Sequence, residues 1–153
     1  MHNSIKYSIS SALLISAIFT STDSHAWGQN GHRIVGQIAQ SHISETTKAA
    51  IQPYLDGESL AQISTWPDEM RSAPGEFWQK QSSRWHYINA APGKSFSFNH
   101  EHTKNKESVS NILEGIHYSM QTLTDKNSTL DAKQFSLHFL VHLVGDSHQP
   151  FHA

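Results

Sequence analysis

The chain has 153 residues, a formal net charge of −2, no cysteine and 16% charged side chains. The slightly acidic balance excludes a broad Lys/Arg footprint for nucleic acid, and the lack of cysteine excludes a disulfide scaffold. Histidine is the outlier, with twelve copies against eleven Lys and Arg together.

The first 26 residues read as a secretory signal. Lys6 supplies a positive start, Ile9 to Phe19 forms a short apolar run, and Ser24-His25-Ala26 offers small residues at the −3 and −1 positions of a cleavage site. The run is too short to span a bilayer, and no later segment is apolar enough to do so. Cleavage would remove Lys6 and Asp23, leaving the net charge unchanged, and would expose Trp27 as the first residue of an exported domain, 27–153. A domain of that length buries roughly 65% of its surface and holds a real core.

From Gly31 to Leu55, Ile34, Ile38 and Ile43 recur at near-helical spacing, with Val35 and Ala39 widening the stripe, and Ser44 is placed to cap a second helix closing before or at Pro53. Gly57 to Thr65 suits a short helix ended by Trp66-Pro67. "RWHYIN", Arg84 to Asn89, reads as a short extended segment or a strand, and Pro74 to Thr103 is otherwise irregular, with Pro92-Gly93 as a turn. From Glu107 to Thr124, Val109, Ile112, Ile116, Met120 and Leu123 form an amphipathic stripe. The last helix, about Asp131 to Asp146, is apolar nearly all round, a pattern that demands burial on most sides. The expectation is an all-α single domain.

Chemistry concentrates in "HFLVHLVGDSHQPFH", His138 to His152. His142 and Asp146 are four apart and share one helix face. A buried aspartate costs several kcal/mol unless it is paired or bound to a metal. Two readings are open: backbone donors hold Asp146 beside a core histidine, or the pair binds an ion. His152 follows just after Gln149-Pro150 and favours the ion. "TWPDEMR" presents Asp68 after a proline, where it can equally cap a helix, with Arg71 three residues on. "WHYIN" presents His86 and "WGQNGH" presents His32. Neutral imidazoles with carboxylates are the ligands zinc takes when cysteine is absent.

Taken together, "WGQNGH…WPDEMR…WHYIN…FLVHLVGDSHQPFH" resembles the zinc-dependent single-strand nucleases of fungi, plants and bacteria, the S-one/P-one type, whose superfamily includes bacterial zinc phospholipases C. The resemblance covers Trp27 to Ala153. It implies the all-α multi-helix domain of that superfamily, and a first residue whose α-amino nitrogen and carbonyl oxygen chelate zinc. An α-amino group, with a pKa of about 7.7–8.0, can yield its proton to a metal near neutral pH. An uncleaved Ala26-Trp27 amide cannot.

Carried over residue by residue, the resemblance implies Asp68, His86 and His142 on one zinc, Asp146 bridging to a second, and Trp27, His32 and Asp146 on that second ion. His152 resembles one ligand of a third zinc, whose other ligands come from a later His-x-x-x-Asp motif that this chain does not have. The chain therefore looks like the N-terminal portion of the domain, a monomer when complete and in need of its C-terminal half. Tyr87 matches an aromatic that stacks on a nucleobase, and Asn89 stands where the family usually has an aspartate on the base edge. Asp68 joins Arg71 as a catalytic residue, and Arg71 matches an arginine that stabilises the transition-state phosphate. From the residues alone, Arg71 equally suits a surface ion pair with Asp68 or Glu69. His117, His138 and His148 have no ligand role in the family.

The implied function is a periplasmic or secreted zinc phosphodiesterase that cleaves single-stranded RNA or DNA to 5′-phosphate products, as an endonuclease with 3′-nucleotidase activity on nucleotides. A phospholipase C, with Phe96 and Phe98 as candidate lipid contacts, and an inactive zinc-binding fragment are the alternatives. Because the metals rather than Lys and Arg would attract phosphate, log KM plotted against log salt is expected to have a shallower slope than for a Lys/Arg-rich binder.

Overall fold

The computed structural model describes residues 28–89, 93, 98–150 and 152. The signal segment, Trp27, Pro92 and Phe96 lie outside the described residues. The α-helices are α1 (Gln29–His42), α2 (Glu45–Ile51), α3 (Leu60–Ile63), α4 (Trp66–Glu69), α5 (Ser82–Trp85), α6 (Ile112–Thr124) and α7 (Leu130–Asp146). Short 3₁₀ turns occupy Gln52–Tyr54, Met70–Ser72 and His100–Lys104, and Phe77–Gln81 forms one π-helical turn. No strand occurs among the described residues, and none of their helices is long and apolar enough to cross a membrane.

Local chemistry explains most of the boundaries. Ser44 caps α2, accepting from the Thr47 amide at 3.1 Å, and Ser59 and Gln62 form a reciprocal capping box on α3. Thr129 caps α7 through the Ala132 amide at 3.2 Å. Pro67 begins α4 instead of ending α3: in the first turn its missing N–H leaves no helical bond unmade. "RWHYIN" is not a strand. Arg84 and Trp85 end α5, and Tyr87–Asn89 has no regular structure. Its backbone bonds go to two different places, from the Ile112 amide to the Tyr87 carbonyl (3.1 Å) and from the Ile88 amide to the His152 carbonyl (2.8 Å).

The helix α7 lies at the centre. Phe139 and Leu143 join one buried cluster with Trp85, Val109 and Ile112, while Leu137 joins another with Leu55, Leu60 and Ile63. A helix between two clusters needs apolar residues on opposite sides, which accounts for the all-round pattern of α7. Its Val144 side stays partly exposed.

The face of α1 differs in part from the expected one: Ala39 and Ile43 pack against the core as their spacing suggests. Ile34 and Ile38 point outward, and the buried positions are His32 and Gly36. Helix packing selected small side chains here. A Cβ added at Gly36 would overlap the backbone carbonyl of Leu60 at the start of α3. Gly36→Ala is expected to destabilise the fold by about 1–3 kcal/mol, the usual cost of forcing a methyl into a filled contact; thermal unfolding measures it. On α6 and just before it the expected stripe holds except at Met120, which is exposed: Val109 and Ile112 are buried, and Ile116 and Leu123 pack against the core.

Candidate functional site

Helix packing brings the sequence-distant candidates to one buried point. Asp146, 1% exposed, ends α7. Its two carboxylate oxygens face different partners. Oδ2 lies 2.9 Å from His86 Nδ1 and 3.0 Å from His142 Nε2, while Oδ1 lies 3.3 Å from His32 Nε2 and 3.2 Å from His152 Nδ1. His86 Nδ1 and His142 Nε2 are themselves 2.9 Å apart. Asp68, at the first turn of α4, holds Oδ1 at 3.9 Å from both of these nitrogens. Two groups of potential metal ligands result, Asp68 with His86 and His142, and His32 with His142 and Asp146.

Each ring is oriented by something the sequence does not advertise. His142 Nδ1 donates to the Ser64 carbonyl at 2.7 Å. A carbonyl only accepts, so Nδ1 carries a proton and the ring is held with Nε2 facing Asp146. His32 stacks on His142, with centroids 3.9 Å apart and planes 15° from parallel. That stacking requires Gly145, where an added Cβ would lie 2.8 Å from His32 Nδ1. His86 leaves α5 and is steadied by the two backbone bonds of Tyr87 and Ile88.

The electrostatics fit a cation at the centre. Burial raises the Asp146 carboxyl, but hydrogen bonds from His142, His32 and His86 outweigh it and hold the group far below the usual carboxylate range. Burial lowers His86, and it would lower His142, except that the hydrogen bond and charge of Asp146 push His142 upward instead. A buried anion thus gathers ring nitrogens that call for positive charge among them, supplied by ring protons or by a bound cation. His32 Nδ1 and His86 Nε2 are buried without partners. For comparison, ligand atoms at 2.0–2.1 Å around a tetrahedral zinc stand about 3.3 Å apart, close to the spacings observed here.

Arg71 is exposed and pairs with Asp68 (Nη1 to Oδ1, 3.7 Å). Glu69 turns away to accept from Thr65 Oγ1. The Ser64 carbonyl and Gly145 were missed by sequence reasoning because a backbone acceptor and a missing side chain give no ligand signal. The histidines without an expected role lie elsewhere: His138 packs its edge on Trp66, His148 Nδ1 donates to the Val144 carbonyl, and His117 lies beside Phe98 and His100.

Tyr87 and Asn89, by contrast, leave the cluster and line a separate cavity of about 410 Å³, together with His102, Ser110 and Glu114. Tyr87 is adjacent in the chain to His86, so this cavity opens beside the cluster.

A sequence model of the S1/P1 Nuclease family matches residues 27–153. The chain belongs to the S1/P1 nuclease family. It is similar to Nuclease S1 of Aspergillus oryzae, 31% identical over 148 residues, which cover 94% of this chain and 48% of that protein. Nuclease P1 of Penicillium citrinum is 30% identical over 129 residues, 82% of this chain and 47% of that protein. Endonuclease 2 of Arabidopsis thaliana is 28% identical over 145 residues, 89% and 48% respectively. The chain thus spans about half the length of these curated relatives. Membership agrees with the all-helical architecture of the described residues, and the relatives it groups with this chain are named nucleases and endonucleases.

Proposed function

We propose that this chain carries the metal-binding part of an exported, zinc-dependent phosphodiesterase that hydrolyses single-stranded RNA or DNA to 5′-phosphate products, with 3′-nucleotidase activity as a second reaction. One observation carries the reading: a buried carboxylate, Asp146, offers one oxygen to His86 and His142 and the other to His32. The nitrogen and oxygen donors, with no thiolate, suit zinc. Asp68, His86, His142 and Asp146 would hold one ion, and His32, Asp146 and Trp27 a second. His152 would join a third site completed by ligands from the remainder of the protein. Bound there, zinc lowers the pKa of a coordinated water towards about 7 and offsets phosphate charge.

The chain's own residues supply the rest. Asp146 and the Ser64 carbonyl fix the ring orientations, so little reorganisation is needed when substrate arrives. Asp68, about one-third exposed at its side chain, faces both the cluster and solvent, and takes the proton of the attacking water. Arg71 extends from the same turn with its guanidinium exposed, where it meets the non-bridging oxygens as negative charge develops on phosphorus. Tyr87 stacks on a base, an interaction worth roughly 1–3 kcal/mol, and Asn89 hydrogen-bonds the base edge.

Removal of residues 1–26 is part of the mechanism, because it creates the Trp27 amine. The family match beginning at residue 27 supports that boundary. Native mass spectrometry on protein starting at Trp27 is expected to count one zinc more than on protein retaining Ala26, with activity on single-stranded nucleic acid lost in parallel. Equal zinc in both forms would remove the N-terminal amine from the site. Zinc bound without hydrolysis in either form would support the inactive-fragment alternative.

A further inference from the structure

The cavity beside the cluster holds a buried group for which the proposed reaction has no use. Glu114 sits in the first turn of α6, 1% exposed. Its Oε2 accepts from the Ser110 amide (2.9 Å) and hydroxyl (2.8 Å), and both oxygens lie within 3.3 Å of His102 Nδ1. The Asn99 amide approaches Oε1 at 3.4 Å. The cap on α6 is Asn111, whose Oδ1 accepts from the Glu114 amide at 3.1 Å, so the helix start does not need the Glu114 carboxylate to reach His102. The contact to His102 does something else: it selects a tautomer. An ionised carboxylate only accepts, so in the neutral His102 ring the proton sits on Nδ1 and the lone pair on Nε2. The ring side chain is 40% exposed and lines the same cavity as Tyr87 and Asn89.

We propose that His102 is a specificity-determining residue of this cavity: locked by Glu114 as an acceptor at Nε2, it favours bases carrying an exocyclic amino group over uracil and thymine. The inference rests on the proposed single-strand nuclease reading for its ligand class. Asn89, which can donate or accept by turning its amide, does not discriminate between the two kinds of base edge. A ring with a fixed tautomer does. Adenine N6 and cytosine N4 donate to Nε2, whereas uracil O4 at the same place would set acceptor against acceptor.

The test uses the full chain with ¹⁵N-labelled histidine, titrated with AMP, CMP and UMP. The His102 nitrogen shifts are expected to report the Nδ1–H tautomer, with AMP and CMP moving the Nε2 signal and UMP leaving it in place. His102→Ala should weaken AMP and CMP binding about two- to tenfold, the range for one hydrogen bond, and leave UMP binding near native. His102→Gln, whose amide donates or accepts by turning, should restore binding of all three nucleotides without restoring the preference. Glu114→Gln keeps an oxygen towards Ser110 and turns an amide N–H towards His102, so its spectrum should move towards the Nε2–H tautomer and its base preference towards uracil. An Nε2–H tautomer in the native chain, or an AMP-to-UMP affinity ratio unchanged by His102→Ala, overturns the proposal. Hydrolysis of poly(A) and poly(U), followed in parallel, separates the two readings. Base-selective binding without hydrolysis would favour the inactive-fragment alternative and leave His102 standing; hydrolysis with base preference indifferent to His102 would do the reverse.

Discussion

Asp146→Asn is expected to lower hydrolysis of single-stranded nucleic acid by more than about a hundredfold and to release zinc from both sides of the cluster. Replacing outer-shell partners of a metal site already costs about 10- to 100-fold, and Asp146 stands inside the ring of ligands. Its two oxygens contact four imidazoles between them. An amide keeps the shape but turns a donor towards nitrogen lone pairs and removes the one buried negative charge that the histidines surround. Because Asp68, the other carboxylate of the cluster, stands farther off at 3.9 Å and is partly exposed, the loss falls on metal affinity first and on activity through it. Zinc content by mass spectrometry, read beside kcat/KM and a circular dichroism spectrum, separates metal loss from unfolding. Two zincs retained with activity within tenfold of native would move the bridging role to another residue.

Gly145→Ala is expected to act on one side of the cluster only. The added methyl would sit 2.8 Å from His32 Nδ1 and 3.4 Å from its Cε1. Both α7 and the His142 ring hold His32 in place, so the ring must slide out of its stack and away from Asp146 Oδ1. Overpacking of this kind costs about 1–3 kcal/mol of stability. It should remove the zinc that depends on His32 and leave the one held by Asp68, His86 and His142. The variant protein is expected to bind one zinc fewer, with activity down by about tenfold or more. Gly145→Ser should behave alike, since the obstacle is the Cβ itself. A full zinc complement in either variant would mean that His32 is not a ligand.

How much of this was legible in the chain differs from element to element. The spacing of His142 and Asp146 on an apolar helix already required a partner for the buried carboxylate, and α7 runs nearly where its pattern placed it. Caps at Ser44 and Thr129 are local hydrogen-bonding events within a few residues, so they are readable from sequence. The stripe of Ile34 and Ile38 misled because periodicity reports that a helix has two faces without saying which one a neighbour will cover. Contact with α3 selected the Gly36 face, since only there can the backbones approach closely. Pro67 misled for a similar reason: a proline closes one helix or opens the next, and the choice depended on where the Trp66 side chain could pack.

By itself the sequence determined the type of chemistry. It holds no cysteine, an excess of histidine, and an aspartate at helical spacing from an imidazole, a combination that suits either an ion site or an internally satisfied polar core. The tertiary structure decided the arrangement. Which oxygen of Asp146 faces which ring, that the Ser64 carbonyl orients His142, that His32 reaches the cluster only across a glycine, and that Glu114 holds His102 in the neighbouring cavity all depend on contacts between residues distant in the chain, His32 and Asp146 among them. A hydrogen bond needs its partners within about 3 Å, and nothing local in the chain encodes a distance between helices. Packing of α1, α3 and α6 onto α7 supplies it.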